Sequence, residues 1–248
     1  MSERQVSEPR AASTVVVLRS SAAAGTCEVL LVKRNDRVAF MAGAYVFPGG
    51  RVDEADHTAL HEARFLHEPP RFPDLSPIDE RRYRVAAVRE LAEEANVAIG
   101  VDDLVPFAHW VTPEIEIRRY DTRFFLAVMP AGQEAKHDEG EMTELAWLTP
   151  SEAIDRCRRQ EIMLPPPTWT TLRQLERCGT VDEAVAWARR VTVVRVMPGF
   201  VKSEDASILT LPGDPLFPTI EGWEVPEETR FVLRDGRGWL PEHPPSLA

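Results

Sequence analysis

Lysine is almost missing from this chain, with 3 against 26 arginines in 248 residues. Genomic base composition produces that imbalance as readily as a need for bidentate ion pairs, so it assigns no function. Cysteine is equally scarce. Cys27, Cys157 and Cys178 are odd in number, widely spaced and in no C-x-x-C arrangement, which excludes a disulfide framework and a structural zinc site and makes a reducing, cytoplasmic setting the expectation. The start, Met1 to Ser13, has no apolar core of a secretory signal, and no apolar run reaches bilayer length. Positive charge is in deficit, 29 basic against 40 acidic side chains for a net charge of -11. A field of that sign repels a nucleic-acid backbone or an anionic membrane, so neither is an expected partner. Two tempting motifs are incomplete. Gly213-Asp214-Pro215 lacks the glycine spacing and the Lys-Ser/Thr of a phosphate loop, and His57 and His61 are not joined in H-E-x-x-H because Thr58 follows His57.

What is present is an ordinary globular composition, 44% hydrophobic and 28% charged, with 21 prolines asking for many ordered loops. Thr14 to Leu18 and Glu28 to Val32 are β-rich runs at hairpin separation. Phe40 to Phe47 leads into Pro48-Gly49-Gly50, and a polar, proline-rich stretch at about 57–81 reads as an inserted loop. From Glu80 to Val97 apolar residues recur at helical spacing. Strands are expected at Val105 to Val111, Thr122 to Val128 and Leu145 to Leu148. Thr149-Pro150-Ser151-Glu152 and Thr180-Val181-Asp182-Glu183 are capping boxes that should open two more helices. Short strands follow near Val191 to Val196, Ile208 to Leu211 and Arg230 to Leu233, with a turn at Asp235-Gly236. The organisation expected is a flexible start at 1–12, a main domain at 13–155, a helical extension at 156–190 and a Pro-rich β extension at 191–248 packed on the core.

Chemistry concentrates in Arg89-Glu90-Leu91-Ala92-Glu93-Glu94. The three carboxylates fall on one arc of a helix beside an apolar arc carrying Val88, Leu91 and Ala95. Like charges four apart repel, so a solvated acidic face and a cation site are the two readings open to the helix alone. Oxygen-only ligands suit Mg²⁺ or Mn²⁺, which keep several waters and share substrate phosphates.

Gly50 together with Arg89-Glu90-Leu91-Ala92-Glu93-Glu94-Ala95-Asn96-Val97 resembles the Nudix box, G-x5-E-x7-R-E-U-x-E-E-x-G-U with U aliphatic. Asn96 stands in place of the final Gly, where the left-handed conformation is often required and Asn is the next-best residue. Gly50 precedes Arg89 by 39 positions, so about 25 residues are inserted and Asp56 occupies the place of the first Glu. Phe40 to Asp53, Thr112-Pro113-Glu114, Arg118 to Phe125 and Leu164 to Thr168 are similar to the branch of that family with an interrupted box, whose members include a coenzyme A diphosphatase. The resemblance spans roughly residues 14 to 175.

It implies an α/β fold, the Nudix α/β/α sandwich around a mixed β-sheet, with the helical and β-rich C-terminal extension added. It implies Mg²⁺ or Mn²⁺ held by Glu90, Glu94 and Glu93, with the Gly49 carbonyl contributing. Glu90, Glu93 and Glu141 are the candidate catalytic residues, Arg89 and Gly50 support them, and Arg118, Arg119, Arg123 and Tyr120 are candidate substrate-binding residues. The implied reaction is attack of water on a nucleoside diphosphate linked to a second group, with coenzyme A or an acyl-CoA as the first choice. ADP-ribose or a dinucleotide is the enzymatic alternative, supported by Pro113, and a non-catalytic nucleotide sensor is the alternative of another class. The partner is a small nucleotide-diphosphate substrate, and a homodimer is compatible with the family.

Overall fold

The computed structural model describes residues 6–21, 26–35, 41–58, 70–137, 142–203, 205–234 and 238–243. The expected hairpin forms from β1 (Arg10–Ser20) and β2 (Cys27–Arg34), paired antiparallel with Leu18 opposite Val29. β1 also runs parallel to β6 (Tyr120–Val128), Arg10 opposite Tyr120 through Leu18 opposite Val128. β6 pairs antiparallel with β5 (Val105–Val111), which takes the short β8 (Arg195–Val196) on its outer edge. On the other side β2 carries β3 (Tyr45–Val46) and β7 (Met142–Leu148). β4 (Gly49–Arg51) pairs with the early part of β1, Thr14 opposite Gly49.

The central strands are apolar at nearly every position because helices cover both faces. Alternation then sorts the side chains. Val15, Val17, Leu30, Phe125 and Ala127 are buried with Ala87, Leu91 and Ala95 of α2 (Pro77–Ala95). Val16, Leu18, Val29, Leu31, Phe124 and Leu126 face the opposite way. They are buried with residues of α3 (Pro150–Arg158), α4 (Pro166–Glu176) and α5 (Val181–Arg190). The fold is therefore the expected α/β/α sandwich with a mixed sheet.

α2 begins at Pro77, three residues before the expected start. Ser76 is its N-cap, accepting from the Asp79 N–H at 3.2 Å, and Pro77 sits where a missing N–H costs nothing. The helix ends at Asn96 in the left-handed conformation, φ 53°, with its N–H returned to the Ala92 carbonyl. That is the role expected for Asn in place of Gly. The expected insert at 57–81 is accordingly shorter as a loop. Its first two residues, His57 and Thr58, end α1 (Glu54–Thr58), and residues 70–76 pack back onto the core, with Phe72 fully buried and the Arg71 guanidinium donating to the Ala188 and Val191 carbonyls at the end of α5.

Both capping boxes form, Thr149 with Glu152 and Thr180 with Glu183. Beyond α5 only Arg195 and Val196 of the strand expected at Val191 to Val196 join the sheet. The last segment instead builds a second antiparallel sheet from β9 (Gly199–Lys202), β10 (Ser207–Thr210), β11 (Arg230–Leu233) and β12 (Trp239–Pro241). Leu209, Leu211 and Phe231 of this region share one buried cluster with the main sheet. The turn expected at Asp235-Gly236 lies outside the described residues, between β11 and β12, which pair antiparallel.

Candidate active site

Gly49 and Gly50 reach the acidic helix because β4 is laid against β1, whose partner helix is α2. The Gly49 N–H donates to Glu94 Oε2 at 2.8 Å. A Cβ on Gly49 would stand 2.3 Å from the Ser13 carbonyl oxygen, and a Cβ on Gly50 would meet the Glu90 carboxylate at 2.4 Å. Only glycine permits so close an approach of strand and carboxylates. Glu94 is buried and Glu93 is exposed, with Glu90 between them.

Arg89 organises this cluster. Its Nε and one terminal nitrogen donate to the two oxygens of Asp56 at 2.9 and 3.0 Å, and the latter nitrogen also donates to the Arg51 carbonyl. The other terminal nitrogen bridges Glu90 at 2.9 Å and Glu93 at 3.1 Å. The Asp56 hydrogen bonds lead the causes that hold Arg89 more firmly protonated than an ordinary arginine. Asp56 is itself 2% exposed and accepts from the Asp53 N–H. The acid that stands in place of the first Glu of the motif thus orients Arg89, and through it the carboxylates, from across the insert.

Glu90, Glu93 and Glu94 line a cleft of about 750 Å³, together with Gly49 and Gly50. The three carboxylates offer oxygen donors, which suit a hard divalent cation. Among the described residues no group of three His, Cys, Asp or Glu side chains is gathered closely enough to hold a metal ion by itself.

The four substrate-binding candidates divide. Arg118 and Tyr120 line the cleft. Arg119 and Arg123 do not. Arg119 is buried and donates to the Thr112 and Ser7 carbonyls, tying the N-terminal segment to the β5–β6 connection. Arg123 is 1% exposed, pairs with Asp74 at 2.6 Å and Asp121 at 3.4 Å, and lies over the rings of Phe72 and Tyr83. Strand parity explains the split, since Tyr120, Thr122 and Phe124 face the cleft while Arg123 and Phe125 face the α2 side. That parity was available in the sequence. Glu141 lies outside the described residues. Glu144, its neighbour in the same acidic run, hydrogen-bonds the buried Tyr45 phenol.

Other residues of the cleft carry no motif. Arg34 borders it with a buried Nε that has no hydrogen-bond partner among the described residues, and Arg51 adds a second guanidinium. Apolar side chains of Trp110, Phe124, Pro165, Pro198, Leu209 and Trp239 line the same cleft.

The family model for the NUDT19 Nudix domain matches residues 100–175, a stretch that begins beyond the acidic helix and so is independent of it. By this match the chain is similar to the Nudix hydrolases. It is 25% identical over 272 residues to the acyl-coenzyme A diphosphatase NUDT19 of Xenopus laevis, covering 77% of this chain and 71% of that protein. The Homo sapiens protein of the same name is 26% identical over 269 residues, covering 76% and 72%. Among solved structures, a NUDIX hydrolase from Alicyclobacillus acidocaldarius superposes with a TM-score of 0.64 at 24% identity, over 73% of this chain and 97% of that one, a likeness of fold. No helix among the described residues is long and apolar enough to cross a membrane.

Proposed function

We propose that this chain is a Nudix hydrolase acting on a phosphoric anhydride bond, and that it cleaves the diphosphate of coenzyme A or an acyl-CoA to 3',5'-ADP and the (acyl-)phosphopantetheine, with Mg²⁺ or Mn²⁺ bound. The observation that carries this reading is the apposition of the Gly49–Gly50 backbone and the Glu90 and Glu94 carboxylates in a cleft that apolar side chains also line. The carboxylates suit a diphosphate with its cations, and the apolar lining suits a large organic arm.

When bound, the cations neutralise the diphosphate oxygens and increase the acidity of water. Glu90 and Glu94 would hold them, with the Gly49 N–H fixing Glu94. Arg34, Arg51 and Arg118 line the cleft, and their planar donors suit phosphate oxygens. Water attacks one phosphorus, its proton passes to a carboxylate, and the bond from that phosphorus to the bridging oxygen breaks, the other phosphate leaving with that oxygen. Glu93, exposed at the mouth and steadied by Arg89, is the proton acceptor of choice, with Glu141 as its alternative. Pro113, which supports the ADP-ribose alternative, borders the same cleft.

Purified protein incubated with Mg²⁺ or Mn²⁺ and a panel of coenzyme A, acyl-CoA, ADP-ribose, NADH and nucleoside triphosphates tests this directly. The expected outcome is 3',5'-ADP from the coenzyme A compounds, abolished by chelator. Cleavage of ADP-ribose alone would replace the substrate, and binding without turnover would favour the sensor.

A further inference from the structure

The first turn of α4 lines the cleft through Pro166, Pro167 and Thr168. Helices usually hand their first free N–H groups to a capping side chain. Here the N-cap is Pro165, which has no side-chain acceptor, and Pro166 and Pro167 have no N–H. The Trp169 N–H already returns to the Pro165 carbonyl at 2.9 Å. Thr168 therefore carries the one free amide of this turn. It is 4% exposed, and among the described residues neither its N–H nor its hydroxyl has a hydrogen-bond partner.

Arg34, at the end of β2, is a second donor of this kind. Its Nε is buried without a partner, and no carboxylate of the described residues pairs with its guanidinium. The other cleft arginines differ. Arg89 is engaged by Asp56, Glu90 and Glu93, Arg51 stands 3.9 Å from Asp53 with half its side chain in water, and Arg118 is exposed. The backbone brings Arg34 toward α4. The Arg34 N–H donates to the Ala44 carbonyl at 3.0 Å, Ala44 bridges Met163, and the Tyr45 N–H donates to the Met163 carbonyl at 2.9 Å. With about 4.8 Å between neighbouring strands, the Arg34 and Met163 backbones lie roughly 10 Å apart. α4 starts three residues beyond Met163.

Resting on the coenzyme A reading above, we propose that Arg34 and the first turn of α4 form a phosphate-binding subsite, separate from the carboxylates and their cations. A helix N-terminus favours an anion, Thr168 adds an N–H and a hydroxyl, and the guanidinium adds a full charge with planar donors. Buried donors without acceptors are costly to keep, and one phosphate satisfies both residues at once. Coenzyme A offers two sources of that chemistry, its diphosphate and its 3'-phosphate.

The test measures kcat and KM for coenzyme A and for dephospho-coenzyme A, which lacks the 3'-phosphate, at saturating Mg²⁺. Arg34→Ala should raise KM for coenzyme A about tenfold with kcat near the native value, the scale of one lost charge-assisted contact. Arg34→Lys should recover only part of that, because an ammonium lacks the planar fork. Thr168→Val should raise the same KM about threefold. Thr170→Val is the control, since its hydroxyl is also buried and unpartnered but does not line the cleft, and its KM should stay native. Should Arg34→Ala not fold, Arg34→Gln carries the same expectation. A rise confined to coenzyme A assigns the subsite to the 3'-phosphate, and an equal rise for both compounds assigns it to the diphosphate. Native KM values for both compounds in the Arg34 and Thr168 variants, or a rise in Thr170→Val equal to that in Thr168→Val, overturn the subsite and leave the proposed function standing. No cleavage of either compound by the native chain overturns the proposed function, and the subsite with it.

Discussion

The carboxylates and the apolar lining of the cleft are built in different ways. One helix spaces Glu90, Glu93 and Glu94, and the Gly49–Gly50 backbone of a short strand is laid beside them. The apolar lining is assembled from β5, β6, the start of α4 and the C-terminal sheet. The first depends on local spacing and the second on long-range packing, so the two are encoded at different depths of the sequence.

That contrast predicts a steep hierarchy of effects. On the proposed function, Glu90→Gln removes charge from the carboxylate cluster and should lower kcat by on the order of a thousandfold, read with saturating Mg²⁺, while thermal unfolding moves little because a repelling acid has been neutralised. Gly50→Ala is subtler. The new Cβ meets the flexible end of Glu90, not backbone, so the fold should persist while kcat falls on the order of a hundredfold from a misplaced carboxylate.

The arginines sharpen the comparison next. Arg118→Ala should raise KM about tenfold without changing the melting temperature, as loss of one phosphate contact requires. Arg123→Ala should do the reverse, leaving KM alone and costing about 3 kcal/mol of stability, because it strips a buried charge network of its cation. Equal effects from the two would erase the parity argument.

The smallest effect belongs to Thr149→Ala, which breaks the capping box of α3 and should cost about 1 kcal/mol with activity intact. Its partner Glu152 has its pKa lowered first by the Thr149 backbone hydrogen bond, then by that to the Thr149 side chain. The sign follows from the lowering: the cap's contribution is complete above the ordinary glutamate range and is lost as pH falls through the depressed value. A melting temperature that is flat across that acid range, or that rises on acidification, would contradict it.

Helix termini and central strands were legible because their signals are local. Asn96 turns left-handed where the resemblance asked for glycine, and Thr149 and Thr180 cap the helices that their boxes announce. Arg119 and Arg123 were misplaced because adjacency in sequence was read as adjacency in space, although alternate residues of a strand face opposite ways. The Asp56–Arg89 pair spans the insert, and no local pattern reveals which acid closes on which arginine. Leu209 falls in an expected strand, but no local pattern places it, Trp239 or Pro198 in the cleft. That placement depends on long-range packing, and a lone tryptophan in a Pro-rich tail reads equally as core or surface.

The most direct measurement is product analysis with octanoyl-CoA and Mg²⁺, run side by side on the native chain and Glu94→Gln with their thermal melts. The account predicts 3',5'-ADP and octanoyl-phosphopantetheine from the native chain, none from Glu94→Gln, and closely similar melting temperatures. An active Glu94→Gln protein with the same products would contradict the assignment of the catalytic carboxylates.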